Sequence, residues 1–331
     1  MRLASGPRRT AALAAVTAAL VSAATPALAQ RRDTGFDLTQ LDVSARTAAL
    51  AGAQGGLAGT DPTALFSNPA FLTSDMSRSA AFGFVNHLAD VSAGTALYAR
   101  TLPRFGVDAA VGVRYLSYGS FDRAGGVGGV AGETFGASEA ALTLTASRVV
   151  APNLRVGASA HALFATIDDA SAQALAADIG ATFEVPGQRL VVGASVSGAG
   201  TVLSSLGAAD DRLPLDVRVS VAKRLRYIPL TVTLAGYELN RFEGPETDSS
   251  VVVRALDHVL VGGELGLGRA LTARVGYSPR RGRALRGDGR LDLAGLSAGF
   301  GLAVRRFALD YAFTGWSDSG AVHQIGVRTR L

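Results

Sequence analysis

The sequence contains no cysteine, a single lysine (Lys223) and a single tryptophan (Trp316). Without thiols there is no disulfide framework, no zinc–thiolate site and no cysteine nucleophile. The four histidines, His87, His161, His258 and His323, lie too far apart for a metal-ligand spacing. Proline is sparse at 11 residues and aromatics make up 7%, so the 40 glycines fit neither a collagen repeat nor a helical bundle. Charge is also scarce. Of the formal +5, Arg2, Arg8 and Arg9 supply three with no acid before residue 30, which leaves 5 − 3 = +2 for the remainder. So small a surplus does not point to nucleic acid as a partner.

What is present begins with an export signal. Residues 1–29 carry a basic start, an Ala/Val/Leu run and Ala27-Leu28-Ala29, the layout of a signal peptide with an A-x-A cleavage site. The run is mostly alanine, too weakly apolar for a spanning helix of about 20 residues. Residues 30–43 read as a linker.

From residue 79 to the C-terminus the chain alternates with period two. Val107, Ala109, Val111, Val113 and Tyr115 share one face, and Asp108, Ala110, Gly112 and Arg114 share the other. Successive strand residues point to opposite faces, so each segment has one greasy side and one small or wet side. Fourteen such segments can be marked between 79–87 and 321–331, most of them 9 to 13 residues long. A tilted strand needs about 9–11 residues to cross a bilayer.

The connections alternate too. Those after even-numbered strands are short, such as APN and PGQ, whereas several after odd-numbered strands are long, such as PRRGRALRGDGR at 279–290. Together these features predict an all-β fold, a fourteen-stranded antiparallel transmembrane barrel over 79–331. A soluble β-sandwich would alternate as well. However, it would not explain the strand lengths, or the charges on otherwise small faces at Arg114, Asp178, Glu264, Arg274 and Asp310.

Residues 44–78 break the pattern. Ser44 before Ala45–Ala51 is a helix-start signal, and so is Asp61-Pro62, where a carboxylate caps free N–H groups and proline suits the first helical position. Asn68-Pro69 stops that second helix, because the residue before proline is driven out of the α region. A compact non-strand segment ahead of the first strand belongs inside the lumen or across its mouth as a plug.

The stretch SARTAALAGAQGGLAGTDPTALFSNPAFL (44–72) resembles the N-terminal signature of the PorV/PorQ family, part of the wider group of FadL-like outer-membrane barrels. The resemblance rests on A-A-L-x-G-A, then Asp61-Pro62, then Asn68-Pro69-Ala70. Chain length and the ending HQIGVRTRL (323–331) are closer to the PorQ-like members. The chain departs from many outer-membrane barrels in ending on Leu331 rather than an aromatic residue.

The resemblance implies a fourteen-stranded barrel with an internal plug, and a scaffold role in the type IX secretion attachment complex. The implied partners are a PorZ-like surface protein, a PorU-like sortase and a PorV-like barrel, in a membrane of outer-leaflet lipids and lipopolysaccharide. The alternative is a FadL-like transporter of small hydrophobic molecules. That alternative requires an apolar pocket beside the plug, where the scaffold requires a sealed lumen.

No catalytic constellation, cofactor or metal site is expected. Ser220-Val221-Ala222-Lys223 matches S-x-x-K, but positions i and i+3 of a strand face opposite ways and no K-T-G follows. GGVGGVAG at 125–132 lacks the GK[ST] ending of a phosphate loop. Asp168-Asp169 and Asp210-Asp211 read as solvated outer turns. Arg280, Arg281, Arg283, Arg286 and Arg290 crowd one outer connection, where guanidinium groups suit phosphates or an acidic partner surface.

Overall fold

Period-two alternation resolves into fourteen strands in the computed structural model, which describes residues 36–55, 59–123, 134–206, 212–241, 250–285, 293–316 and 320–331. The expected signal peptide, Arg286 and Arg290 lie outside the described residues. In chain order the strands are β1 (Ser79–Asn86), β2 (Ser92–Leu102), β3 (Val107–Asp122), β4 (Thr134–Ala151), β5 (Leu154–Ile167), β6 (Ala170–Val185) and β7 (Leu190–Ser204). They continue as β8 (Asp216–Arg224), β9 (Leu230–Gly236), β10 (Val259–Leu267), β11 (Leu271–Tyr277), β12 (Leu296–Val304), β13 (Phe307–Gly315) and β14 (Ala321–Arg330). Every neighbour is antiparallel. The sheet closes where β1 meets β14, from Ser79 opposite Arg330 to Asn86 opposite His323. Closure leaves no strand edge unpaired.

The faces sort in the sense a membrane demands. On β3, Val113 and Tyr115 are 50% and 52% exposed on the outer wall, while Arg114 between them is 5% exposed inside. Phe82 and Phe84 on β1, Leu142 and Leu144 on β4, and Ile325 and Val327 on β14 continue the outward apolar band. A soluble sandwich buries its large side chains and wets its small ones. Here the large ones face out and the charged ones face in, which defines a transmembrane β-barrel.

Strand length departs from the expected 9 to 13. Strands β3 to β7 run 14 to 18 residues, whereas β8 to β13 run 7 to 9. The wall therefore holds a long-stranded and a short-stranded sector. The upper parts of the long strands are rich in small and polar residues (Gln173, Gly198, Gly200), which dilutes the alternation that marks a strand. In the short sector, two stretches read as loop are partly helical. Ser250 accepts from Val253 N and starts α2 (Val251–Asp257), and Ser278 accepts from Arg281 N and starts α3 (Pro279–Ala284). In both, a serine oxygen satisfies an N–H that the first turn leaves unbonded. Asp168-Asp169 forms the tight hairpin turn between β5 and β6, with Asp168 at φ 53°, while Asp210-Asp211 lies outside the described residues.

Inside the barrel sit α1 (Ala45–Ala49) and three 3-10 turns at Pro62–Phe66, Pro69–Phe71 and Ser74–Met76. The stretch assigned to a linker, 30–43, needs correction over its described part. Phe36, Leu38 and Val43 are buried in the same apolar cluster as Val85, Leu116 and Leu163 of the wall. Their large side chains account for it, since a barrel wall lined with alanine and glycine leaves room for them.

Candidate functional site: a plugged lumen

The plug meets the wall through two kinds of contact. On one side α1 lays Ala45, Ala48 and Ala49 against Ala312 of β13, close enough for Arg46 to reach β10. Arg46 Nε and Nη2 donate to both oxygens of Glu264, each at 2.9 Å. Glu264 also accepts from Arg274 Nε at 2.7 Å, and Arg274 Nη1 donates to Asp310 at 2.7 Å. Arg328 Nη1 stands 3.3 Å from Asp310 and 3.5 Å from Asp61. Three guanidinium and three carboxylate groups thus alternate from plug to wall and back to plug. Charges taken out of water are tolerable only when paired and bonded in this way.

Asp61 serves two neighbours. One oxygen caps the 3-10 turn, accepting from Thr63 N at 3.1 Å and Thr63 Oγ1 at 2.6 Å. The other faces Arg328. Pro62 then occupies the first helical position, where its missing N–H costs nothing.

On the opposite side the plug offers neutral groups to the wall. Asn68 ends the first 3-10 turn as expected, and it also starts a second: its Oδ1 accepts from Ala70 N at 2.9 Å. Its amide nitrogen donates to the wall carbonyls of Ala194 at 3.0 Å and Ala181 at 3.4 Å. This approach requires bare backbone. A Cβ on Gly180 would lie 2.0 Å from Asn68 Oδ1, and one on Gly157 would lie 2.5 Å from Ala70 N. Ser195 Oγ donates to Ser67 O, and Ser147 Oγ and Arg155 Nη1 donate to Leu72 O. Further up, the N–H groups of Asp37 and Leu38 donate to Glu139, which Tyr118 also bonds at 2.7 Å.

Between plug and wall lies a cavity of about 330 Å³. Its apolar lining includes Leu41, Phe66, Leu260 and Trp316, and its charged lining includes Asp42, Arg114, Asp178, Arg218 and Arg281. His161 Nε2 bonds Asp178 Oδ2 at 2.8 Å and its Nδ1 bonds Thr143 at 2.9 Å. The other Asp178 oxygen accepts from Gly198 N at 2.9 Å. Arg114 lies 4.7 Å from the centre of the Phe66 ring, with Nη1 donating to Leu38 O. Trp316 meets His87 edge-on at 4.9 Å. Among the described residues no group of three or more His, Asp or Glu could hold a metal ion.

The outer arginines are arranged differently from an open basic patch. Arg280 pairs with Glu238 at 2.6 Å, and Arg283 pairs with Asp257 and donates to Val253 O. Arg281 turns toward the cavity and donates to Ala51 O of the plug at 3.1 Å. Ser220 is buried facing the lumen and Lys223 is exposed, so the S-x-x-K residues do not meet. Asp108 was placed on the small face of its strand, but Glu139, Arg155 and Arg218 were not singled out. Glu139 and Arg155 carry the signal that marks Glu264, a lone charge on a face of small residues.

The fold and the plugged lumen define a class, a fourteen-stranded barrel closed by an internal plug, and solved structures share the fold. The toluene transporter TodX of Pseudomonas putida superposes with a TM-score of 0.53 at 12% identity, covering 85% of this chain and 96% of that one. A TodX deletion mutant, described as a monoaromatic hydrocarbon channel, gives 0.56 at 14% identity, covering 87% and 98%. At such identities the likeness is one of fold. No protein-family model and no curated protein matches the sequence.

Proposed function

We propose that this chain is an outer-membrane transport barrel that admits a small molecule to the cavity beside its plug. The observation that carries this reading is the cavity itself. It is bounded by plug residues on one side and wall residues on the other, and Arg281 of the long β11–β12 connection and Trp316 of the short β13–β14 connection border it. Its volume is at the low end of ligand-binding cavities, roughly 300–1,000 Å³. Its lining is charged as well as apolar, which differs from the apolar pocket expected of a transporter of hydrophobic molecules. The fold shared with TodX supports the transport reading. Vesicles reconstituted with the full barrel should swell in small solutes faster than empty vesicles; equal rates would overturn it.

A second reading, a scaffold of the type IX secretion attachment complex, is supported by the 44–72 signature. Yet Asp61, Pro62, Asn68, Pro69 and Ala70 cap turns and seat the plug against wall glycines. That local role suits any barrel plugged in this manner, whatever its partners. The PorZ-like, PorU-like and PorV-like partners, and lipopolysaccharide phosphates at Arg280 and Arg283, belong to this reading. A tagged barrel pulled from its own outer membrane should then recover a sortase and a large surface protein. Recovery of neither decides for the transporter.

A further inference from the structure

The cavity differs from a hydrocarbon pocket in the state of its charged groups. Each guanidinium carries five N–H donors. Arg114 donates to one carbonyl, Leu38 O at 3.3 Å, and its buried Nε has no partner. Arg281 donates to one carbonyl, Ala51 O. Arg218 gives its Nε to Asp216. Among the described residues, neither Arg114 nor Arg281 has a carboxylate within ion-pair distance.

The acids on the same cavity are engaged elsewhere. Asp178 holds His161 and Gly198 N, and Asp216 holds Arg218 and Glu238 N. Asp42 is the exception. It feels Arg218 and Arg281, but burial raises its pKa against their pull, which weakens it as a counter-ion. A buried cation with unmade hydrogen bonds is costly, and an anion that accepts from it removes that cost.

We infer that the cavity binds a small water-soluble organic anion, a carboxylate or phosphate ester of about monosaccharide size, with Arg114, Arg218 and Arg281 as its donors. The inference rests on the transport reading and gives it a substrate class distinct from a hydrocarbon. Phe66 and Trp316 supply flat apolar faces against which a sugar ring or short carbon skeleton can lie.

The test uses the lone tryptophan as reporter, because Trp316 borders the cavity. The full-length barrel in detergent is titrated with glucuronate, glucose 6-phosphate, neutral glucose and toluene while Trp316 emission is followed. One or both anions should give a saturable change, with glucose at least about tenfold weaker, an ordinary cost for a missing charge-assisted bond. Response to one anion alone identifies carboxylate or phosphate. Arg114→Gln and Arg281→Gln should each weaken anion binding about tenfold, while Arg226→Gln on the exposed β8–β9 turn should not. Heat-modifiable migration on gels verifies that each variant is a folded barrel, and Arg281 lies outside the strands if Arg114→Gln fails that check.

Toluene binding tighter than both anions, or anion binding that survives both substitutions, overturns the inference. Vesicles that swell equally in glucose and in the anions also overturn it and leave the transport reading standing. Vesicles impermeable to every solute overturn the transport reading, and the titration then decides the binding site by itself.

Discussion

The two sides of the plug are held in different ways. Around α1 a charged network is added to close packing: a Cβ on Gly276 would lie 2.2 Å from Leu50 C, while Arg46 and Asp61 of the plug meet Glu264, Arg274, Asp310 and Arg328 of β10–β14. Around Asn68–Leu72 the contact is mainly one of shape, with plug backbone pressed on Gly157 and Gly180, bonds to wall carbonyls and hydroxyls, and one guanidinium, Arg155, on Leu72 O. Charge holds its side by orientation, so a partner can be shifted by a rotamer. Shape holds its side by exclusion, so a single added methyl has nowhere to go.

That difference sets the order of expected effects. The largest belongs to Glu264→Gln, which takes from Arg46 and Arg274 the carboxylate they share in a buried site. Removing one partner of a buried pair costs about 3–5 kcal/mol, measurable as a lower urea midpoint for unfolding in lipid vesicles. Gly180→Val comes next, at about 2–3 kcal/mol for overpacking. It should also raise barrel conductance, because the Asn68 turn can no longer seat; unchanged conductance would break the claim that shape holds that side.

Asn68→Ala removes the amide that bridges Ala181 O and Ala194 O and the cap on Ala70 N. It should cost about 1–3 kcal/mol, with thermolysin sensitivity rising between 59 and 78. Asp61→Asn is the mildest. Asparagine still caps the turn and Arg328 keeps Asp310, so the loss should stay near 1 kcal/mol or below. A loss as large as that of Glu264→Gln would show Asp61, not Glu264, to be the centre of the charged side.

Much of this architecture was legible in the sequence because a barrel wall writes itself residue by residue. Val113 out and Arg114 in is a local pattern, and fourteen repeats of it predict closure without knowledge of any long-range contact. The caps at Ser44 and Asp61 and the stop at Asn68 were legible for the same reason, since each is made within three residues. The seating of Asn68 was not. It depends on Gly180 and Ala194, more than a hundred residues away, and a glycine in a strand of small residues looks like any other. Nor was the cavity, whose lining comes from the plug, the wall and five outer connections at once. Helices α2 and α3 were missed because a turn or two of helix carries too little periodicity to stand out from polar loop.

One plug is held independently on its two sides, and hydrogen exchange followed by mass spectrometry can separate them. In Glu264→Gln the amides of Ala48, Leu50 and Ala51, bonded within α1 and its C-terminal turn, should exchange at least about tenfold faster. Those of Ala70, Phe71 and Leu72 should keep their protection. Loss of protection in both stretches together would contradict the account, since it would show a plug that opens as one body.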